Sequence, residues 1–140
     1  MTKTFAISEA EIQSQCMKYM RLLGILVWRN PIGPVLHRYM KGGAMQTNWK
    51  ASPLKGFPDV SGVLKRKNRG RMFAIEFKSA TGRLTPEQVE WHQNLMAAGA
   101  LVATVKSFDD LLARLVEWGE IDPPKPRDVP AQESNSQKLS

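Results

Sequence analysis

The chain has 140 residues, the size of one domain able to bury a core of its own. An apolar fraction of 42% with 24% charged residues excludes a disordered or fibrous chain, and the longest apolar run, MAAGALVATV, is about half the roughly 20 residues that span a bilayer. Lys and Arg number 20 against 13 Asp and Glu, a net charge of +7 that suits a polyanion; with no Lys-rich amphipathic helix to lie on a membrane, nucleic acid is the expected partner.

The first helix is predicted from Ser8, where Ser8 and Glu11 form an S-x-x-E capping box and Ile12, Cys16, Tyr19/Met20 and Leu23 recur at helical spacing, and it ends at Gly24. Cys16 is the lone cysteine, so no internal disulfide forms, and MTKTFAISEAE lacks the apolar stretch of a signal peptide; a reducing, cytoplasmic setting is expected. ILVWRN reads as a strand stopped by Pro31. Pro31 to Pro58 is expected as a long irregular loop with VLHRYM as a candidate short strand. Val60–Arg66 and Arg71–Lys78 read as an antiparallel hairpin turning at KNRG. A second helix has Thr85 as N-cap, Pro86 at its first position, Gln88 closing a capping box and Gly99 as its stop. LVATV follows as a strand, and Ser107 caps a last helix whose apolar face is Leu111, Leu112, Leu115 and Val116. The Pro-rich polar segment from residue 121 to 140 reads as an unfolded tail, leaving one domain at 1–120 of the α/β class.

The candidate chemistry sits on the hairpin. Residues two apart in a strand share a face, so Glu76 and Lys78 lie on one side of the second strand while Phe73, Ile75 and Phe77 face the core. With a two-residue turn at Asn68 and Arg69, Asp59 falls opposite Lys78, and Asp59, Glu76 and Lys78 meet on one face. Paired carboxylates repel unless a cation lies between them, and a divalent ion such as Mg²⁺ takes one or two protein carboxylates with water and phosphate oxygens. Lys78 adds a charge for a phosphate, and the chemistry that uses this set is phosphodiester hydrolysis. Alone, Asp followed at a distance by Glu-x-Lys equally describes a screened charge pair on a solvated face. At the hairpin tip Lys65, Arg66, Lys67, Arg69 and Arg71 read as a phosphate-contacting ridge beside the acids, and Arg83 lies near the N-terminus of the second helix, a natural anion site. His37 and His92 read as polar or packing residues, Trp91, Leu95 and Trp118 as core, Trp28 as strand packing and Trp49 as a candidate for base stacking.

Pro58-Asp59 followed by Glu76-Phe77-Lys78 resembles the PD-(D/E)xK nuclease superfamily, and G-F-P-D, I-E-F-K, G-R-L-T-P-E-Q and A-A-G-A in this order resemble its VRR-NUC (virus-type replication-repair nuclease) domain from about Glu9 to about Leu112. The resemblance implies a restriction-endonuclease-like core: a mixed sheet, in helix-strand-strand-strand-helix-strand order, flanked by helices. It further implies an endonuclease dependent on Mg²⁺ or Mn²⁺, acting on branched, junction or flap DNA in replication, repair or recombination. Asp59, Glu76 and Glu11 would be metal ligands, Lys78 the catalytic lysine and Gln88 a further site residue; Glu11 and Gln88 could instead simply cap their helices, and Glu9 competes with Glu11. A homodimer through residues 31–58 and a helicase as candidate partner complete these expectations. The rival reading is a nucleic-acid-binding or assembly module that keeps the fold without cutting.

Overall fold

The computed structural model describes residues 6–126; of the expected tail at 121–140, residues 127–140 lie outside the described residues, while Ile121 packs against the core and Asp122 pairs with Arg66, so the folded part runs slightly beyond residue 120. The chain runs α1 (Glu9–Leu22), β1 (Leu26–Arg29), β2 (Val35–Lys41), β3 (Ala44–Lys50), β4 (Val60–Val63), β5 (Met72–Phe77), α2 (Pro86–Ala97), β6 (Leu101–Val105) and α3 (Phe108–Glu117). This is a mixed α/β domain with a mixed sheet and flanking helices. No helix among the described residues is long and apolar enough to cross a membrane.

Each helix starts where its cap dictates. Ser8 and Glu11 close a reciprocal box on α1, Thr85 and Gln88 close another on α2 with Pro86 in its first turn, and Ser107 accepts from Asp110 N–H on α3. The sheet order is β1-β4-β5-β6, with β1, β4 and β5 antiparallel to their neighbours and β6 parallel to β5 across the α2 connection. Alternation along β5 sends Phe73, Ile75 and Phe77 into a core with Ile12, Cys16 and Met20 of α1 and Leu111 and Leu115 of α3. Burying each such side chain contributes about 1.5–3 kcal/mol, which makes this face the main source of cohesion. The opposite face of β5 presents Glu76 toward α2, whose Gln88 reaches it.

Two expectations are corrected. The hairpin register lies two residues from the expected one: Val60 pairs with Ile75 and Val63 with Met72, so the same register carried one step further sets Asp59 opposite Glu76, not Lys78. The connection is longer than a two-residue turn, because Leu64 and Arg71 are the last bonded rung and Lys65–Gly70 form the tip. A slip by an even number keeps every side chain on its face, so Asp59 and Glu76 still share one.

The second correction concerns residues 31–58, where VLHRYM is a strand as expected but the segment is not otherwise an irregular loop. They hold a seven-rung antiparallel ribbon in which Val35 pairs with Lys50 and Lys41 with Ala44. Gly42 and Gly43 make its turn with φ of 60° and 78°, the doubly positive pair that a two-residue hairpin turn of matching twist requires. Every residue of the ribbon is exposed, and its strands pack on no other element among the described residues.

Candidate active site

Asp59 stands just before β4, held in place from three sides. Its main-chain carbonyl accepts from Asn30 N–H at 2.8 Å, its carboxylate Oδ2 accepts from Phe77 N–H at 2.8 Å, and the Asn30 amide donates to Pro58 O and Ser61 Oγ. The preceding turn is locked against α2: Gly56 has φ of 87°, and a Cβ there would meet Glu87 at 2.7 Å. Asn30 and Gly56 are the positioning residues that pattern reading missed. G-F-P-D carried the signal for Gly56, whereas nothing in the sequence announces that Asn30, at the end of β1, faces Asp59.

Glu76 is 3% exposed. Its Oε1 accepts from Gln88 Nε2 at 2.7 Å and lies 3.9 Å from Lys78 Nζ, while its Oε2 is buried without a partner. Burial, and then the negative charge of Asp59, push the Glu76 carboxyl up to about 8, against the opposing pull of Lys78. Asp59 is raised too, chiefly by burial, with the Phe77 N–H pulling the other way. Each carboxyl is felt at the other, and a buried oxygen with no donor to meet it is costly in such a place. A hard cation with an appetite for oxygen ligands answers both features, so the donor set fits a divalent metal of the Mg²⁺ kind. Among the described residues no group of three or more His, Cys, Asp or Glu side chains closes round such an ion, in keeping with a shell completed by water and phosphate.

The acid of α1 that reaches this place is Glu9. Its Oε1 accepts from Ser79 N–H at 3.2 Å, next to Lys78, and its charge is felt at Asp59. Glu11 is turned away: its Oε2 accepts from Ser8 N–H at 2.9 Å and from Ser8 Oγ at 3.1 Å, and these bonds hold its carboxyl below the usual range. The structure therefore places Glu11 in the helix cap and brings Glu9 toward Asp59. Gln88 is in both places at once. Its Oε1 accepts from Thr85 N–H at 2.9 Å while its Nε2 serves Glu76. His92, one turn further along α2, is buried with Nε2 unpartnered, and burial followed by the Lys78 charge lowers its pKa. Both effects favour its neutral form.

The cations expected beside the acids are elsewhere. The tip, Lys65–Gly70, begins six residues along the chain from Glu76, roughly 20 Å at strand rise. Lys65 Nζ bonds Leu23 O at the end of α1, and Arg71 Nε bonds Gly99 O, just past α2, at 2.7 Å. Arg66 donates to Glu120 O and pairs with Asp122. Lys67 lays its stem over Gly119, and Arg69 is exposed. Arg83 is exposed in the loop before α2, on the side of the acids. Trp118 is core, Trp91 half-buried on Phe57 with its indole N–H on Lys55 O, and Trp28 and Trp49 are exposed.

No curated protein matches the chain significantly. The family model of the VRR-NUC domain matches residues 41–109, a span that takes in Asp59, Glu76, Lys78 and Gln88 and leaves α1, with Glu9 and Glu11, outside. With that match lying over the acid pair, the chain carries a VRR-NUC domain and, with it, a nuclease-type function on DNA.

Proposed function

We propose that the protein is a divalent-metal-dependent DNA endonuclease whose centre is Asp59, Glu76 and Lys78, with Glu9 at its edge on Ser79 N–H. The observation that carries this reading is the unpartnered Oε2 of buried Glu76 beside Asp59, a donor set that is unfavourable without a cation. When bound, Mg²⁺ or Mn²⁺ supplies an acidified water and neutralises charge on the phosphate. Asp59 is held for this by Phe77 N–H and Glu76 by the Gln88 amide, so neither carboxylate has to reorganise as the reaction proceeds. Lys78 brings a half-buried ammonium to the phosphate or the attacking water. The preference for branched over plain duplex DNA follows from the family resemblance, and a twofold pair of chains would supply the second site that cutting both strands calls for.

The test is to incubate the protein with end-labelled duplex, single-stranded, flap and four-way-junction DNA, with Mg²⁺, with Mn²⁺ and with EDTA. Cleavage is expected only with metal and fastest on the branched substrates. Lys78→Ala should slow it by about 10²-fold or more while DNA affinity barely changes, because one charge among many contributes little to overall binding. Binding of all four DNAs with no cleavage under any metal would favour the non-cutting module.

A further inference from the structure

The ribbon β2–β3 has no duty in the core, since among the described residues its strands pack only on each other. A lone two-stranded hairpin is marginal in water, yet this one has seven rungs and a Gly-Gly turn of matched twist. Its two faces differ. One carries the cross-strand pairs Leu36–Trp49 and Met40–Met45 with Arg38–Thr47 as the middle rung. The other carries His37–Asn48 and Tyr39–Gln46, with Lys50 at the base and Lys41 at the tip. From Ile12 to Pro58 the chain has no Asp or Glu, against seven Lys and Arg.

We infer that the ribbon lies in the major groove of duplex DNA, its hydrogen-bonding face toward the base edges and Lys41 and Lys50 toward the flanking phosphates. This rests on the reading of the protein as one that acts on DNA. The dimensions agree: strands of seven residues run roughly 23 Å, and the major groove, about 12 Å wide, admits a two-stranded ribbon. The chemistry agrees as well, because Gln46 and Asn48 each carry an amide of the kind that pairs with an adenine edge. An acid-free segment meets a polyanion without repulsion. A second copy of the chain fits less well. Symmetric packing of the apolar faces about their middle rung would set Arg38 against its own equivalent with no acid in the ribbon to pair either.

The experiment measures binding of the full chain to a short fluorescein-labelled duplex by anisotropy, in EDTA so that nothing is cut, over a range of salt. Lys41→Ala/Lys50→Ala should weaken binding about tenfold and reduce the slope of log K against log salt by up to about 1.8, two phosphate contacts' worth. Gln46→Ala/Asn48→Ala should weaken it about fivefold or more with the slope unchanged, since base edges release no counterions. The parent should also protect guanine N7 from methylation in the bound duplex. Parent-like affinity and slope in both variants overturns the proposal. So does a dimer of the free protein that Trp49→Ala splits while duplex binding is kept, which would give the ribbon to a second copy. Tighter binding of single strands, lost in Trp49→Ala, would overturn it in favour of base stacking. A protein that cuts nothing with any metal yet shows the expected losses leaves this inference standing and removes the nuclease reading, so the two failures are distinguishable.

Discussion

Gln88 carries an oxygen and an amide NH₂ on one carbon, and the fold uses them in opposite directions. The oxygen accepts from Thr85 N–H and ties off α2, while the NH₂ donates to Glu76 Oε1 and fixes the carboxylate that faces Asp59. Capping and site chemistry, which compete for such a residue on paper, are met by one side chain because the N-terminus of α2 abuts the face of β5 that carries Glu76. The consequence appears in the pH dependence. Glu76 ionises at about 8 in the fold and near 4.5 in a free chain, so between those values the folded protein binds more protons than the unfolded one. Stability contributed by the protonated carboxyl is therefore complete below pH 4.5 and is lost as the pH rises through about 8. In EDTA, the Glu76→Gln variant, which cannot titrate there, should gain stability relative to the parent as urea melts are taken from pH 5 to pH 8.5. A difference that stays level across that range would mean that Glu76 ionises like an exposed acid.

At the scale of elements, the ribbon and the core obey different rules. Gly42 and Gly43 sit at positive φ, where a side chain costs about 1–2 kcal/mol each, so Gly42→Ala/Gly43→Ala should unpair the ribbon. Because the ribbon packs on no other element among the described residues, the urea midpoint of the core should not move while amide exchange across residues 35–50 accelerates. A falling core midpoint would show that the two are coupled. The same independence explains which elements were legible. The helices announce themselves through capping boxes and through apolar faces that meet a common core, and both signals are local. The shared face of Asp59 and Glu76 was legible even though the pairing was misjudged, since a register error of two residues returns every side chain to the same side. The ribbon was legible only in its first strand, VLHRYM, because VLHRYMK puts apolar residues on both faces and no buried side imposes alternation on it; the Gly-Gly pair was the local cue to its partner strand. Nor could sequence choose between Glu9 and Glu11, whose fates depend on where Ser79 comes to lie, 70 residues away from Glu9.

For the molecule as a whole, the direction of the three helices organises the charge. Their N-termini gather at the Lys78 end of the sheet, where Glu9 meets Ser79, Gln88 meets Glu76 and Ser107 follows β6, so the positive ends of the helix dipoles lie at the end of the sheet that carries the acid pair. Their C-termini gather at the other end, and there the hairpin tip answers them: Lys65 meets Leu23 O, Arg71 meets Gly99 O, and Asn68 donates to Trp118 O at 2.7 Å. Leu23 O and Trp118 O are carbonyls of helix C-caps that the helices cannot satisfy for themselves, and Gly99 O is the first carbonyl past the cap of α2. Three of the five cations expected to form a phosphate ridge, Lys65, Arg66 and Arg71, are thus engaged with the fold, while Lys67 and Arg69 are exposed. Lys65→Ala and Arg71→Ala should each lower stability by about 0.5–1 kcal/mol, the usual worth of a cation at an exposed helix C-terminus. They act on different helices and should add. Arg69→Ala, which removes an exposed charge without a described partner, is the control, with an expected change within about 0.5 kcal/mol. Urea unfolding would show the first two as a lower midpoint at unchanged slope. None of the three should alter the salt dependence of DNA binding, because the tip points away from the acid pair. Unchanged midpoints for Lys65→Ala and Arg71→Ala together with a flatter salt slope would return those side chains to the DNA and undo their assignment to the helix ends.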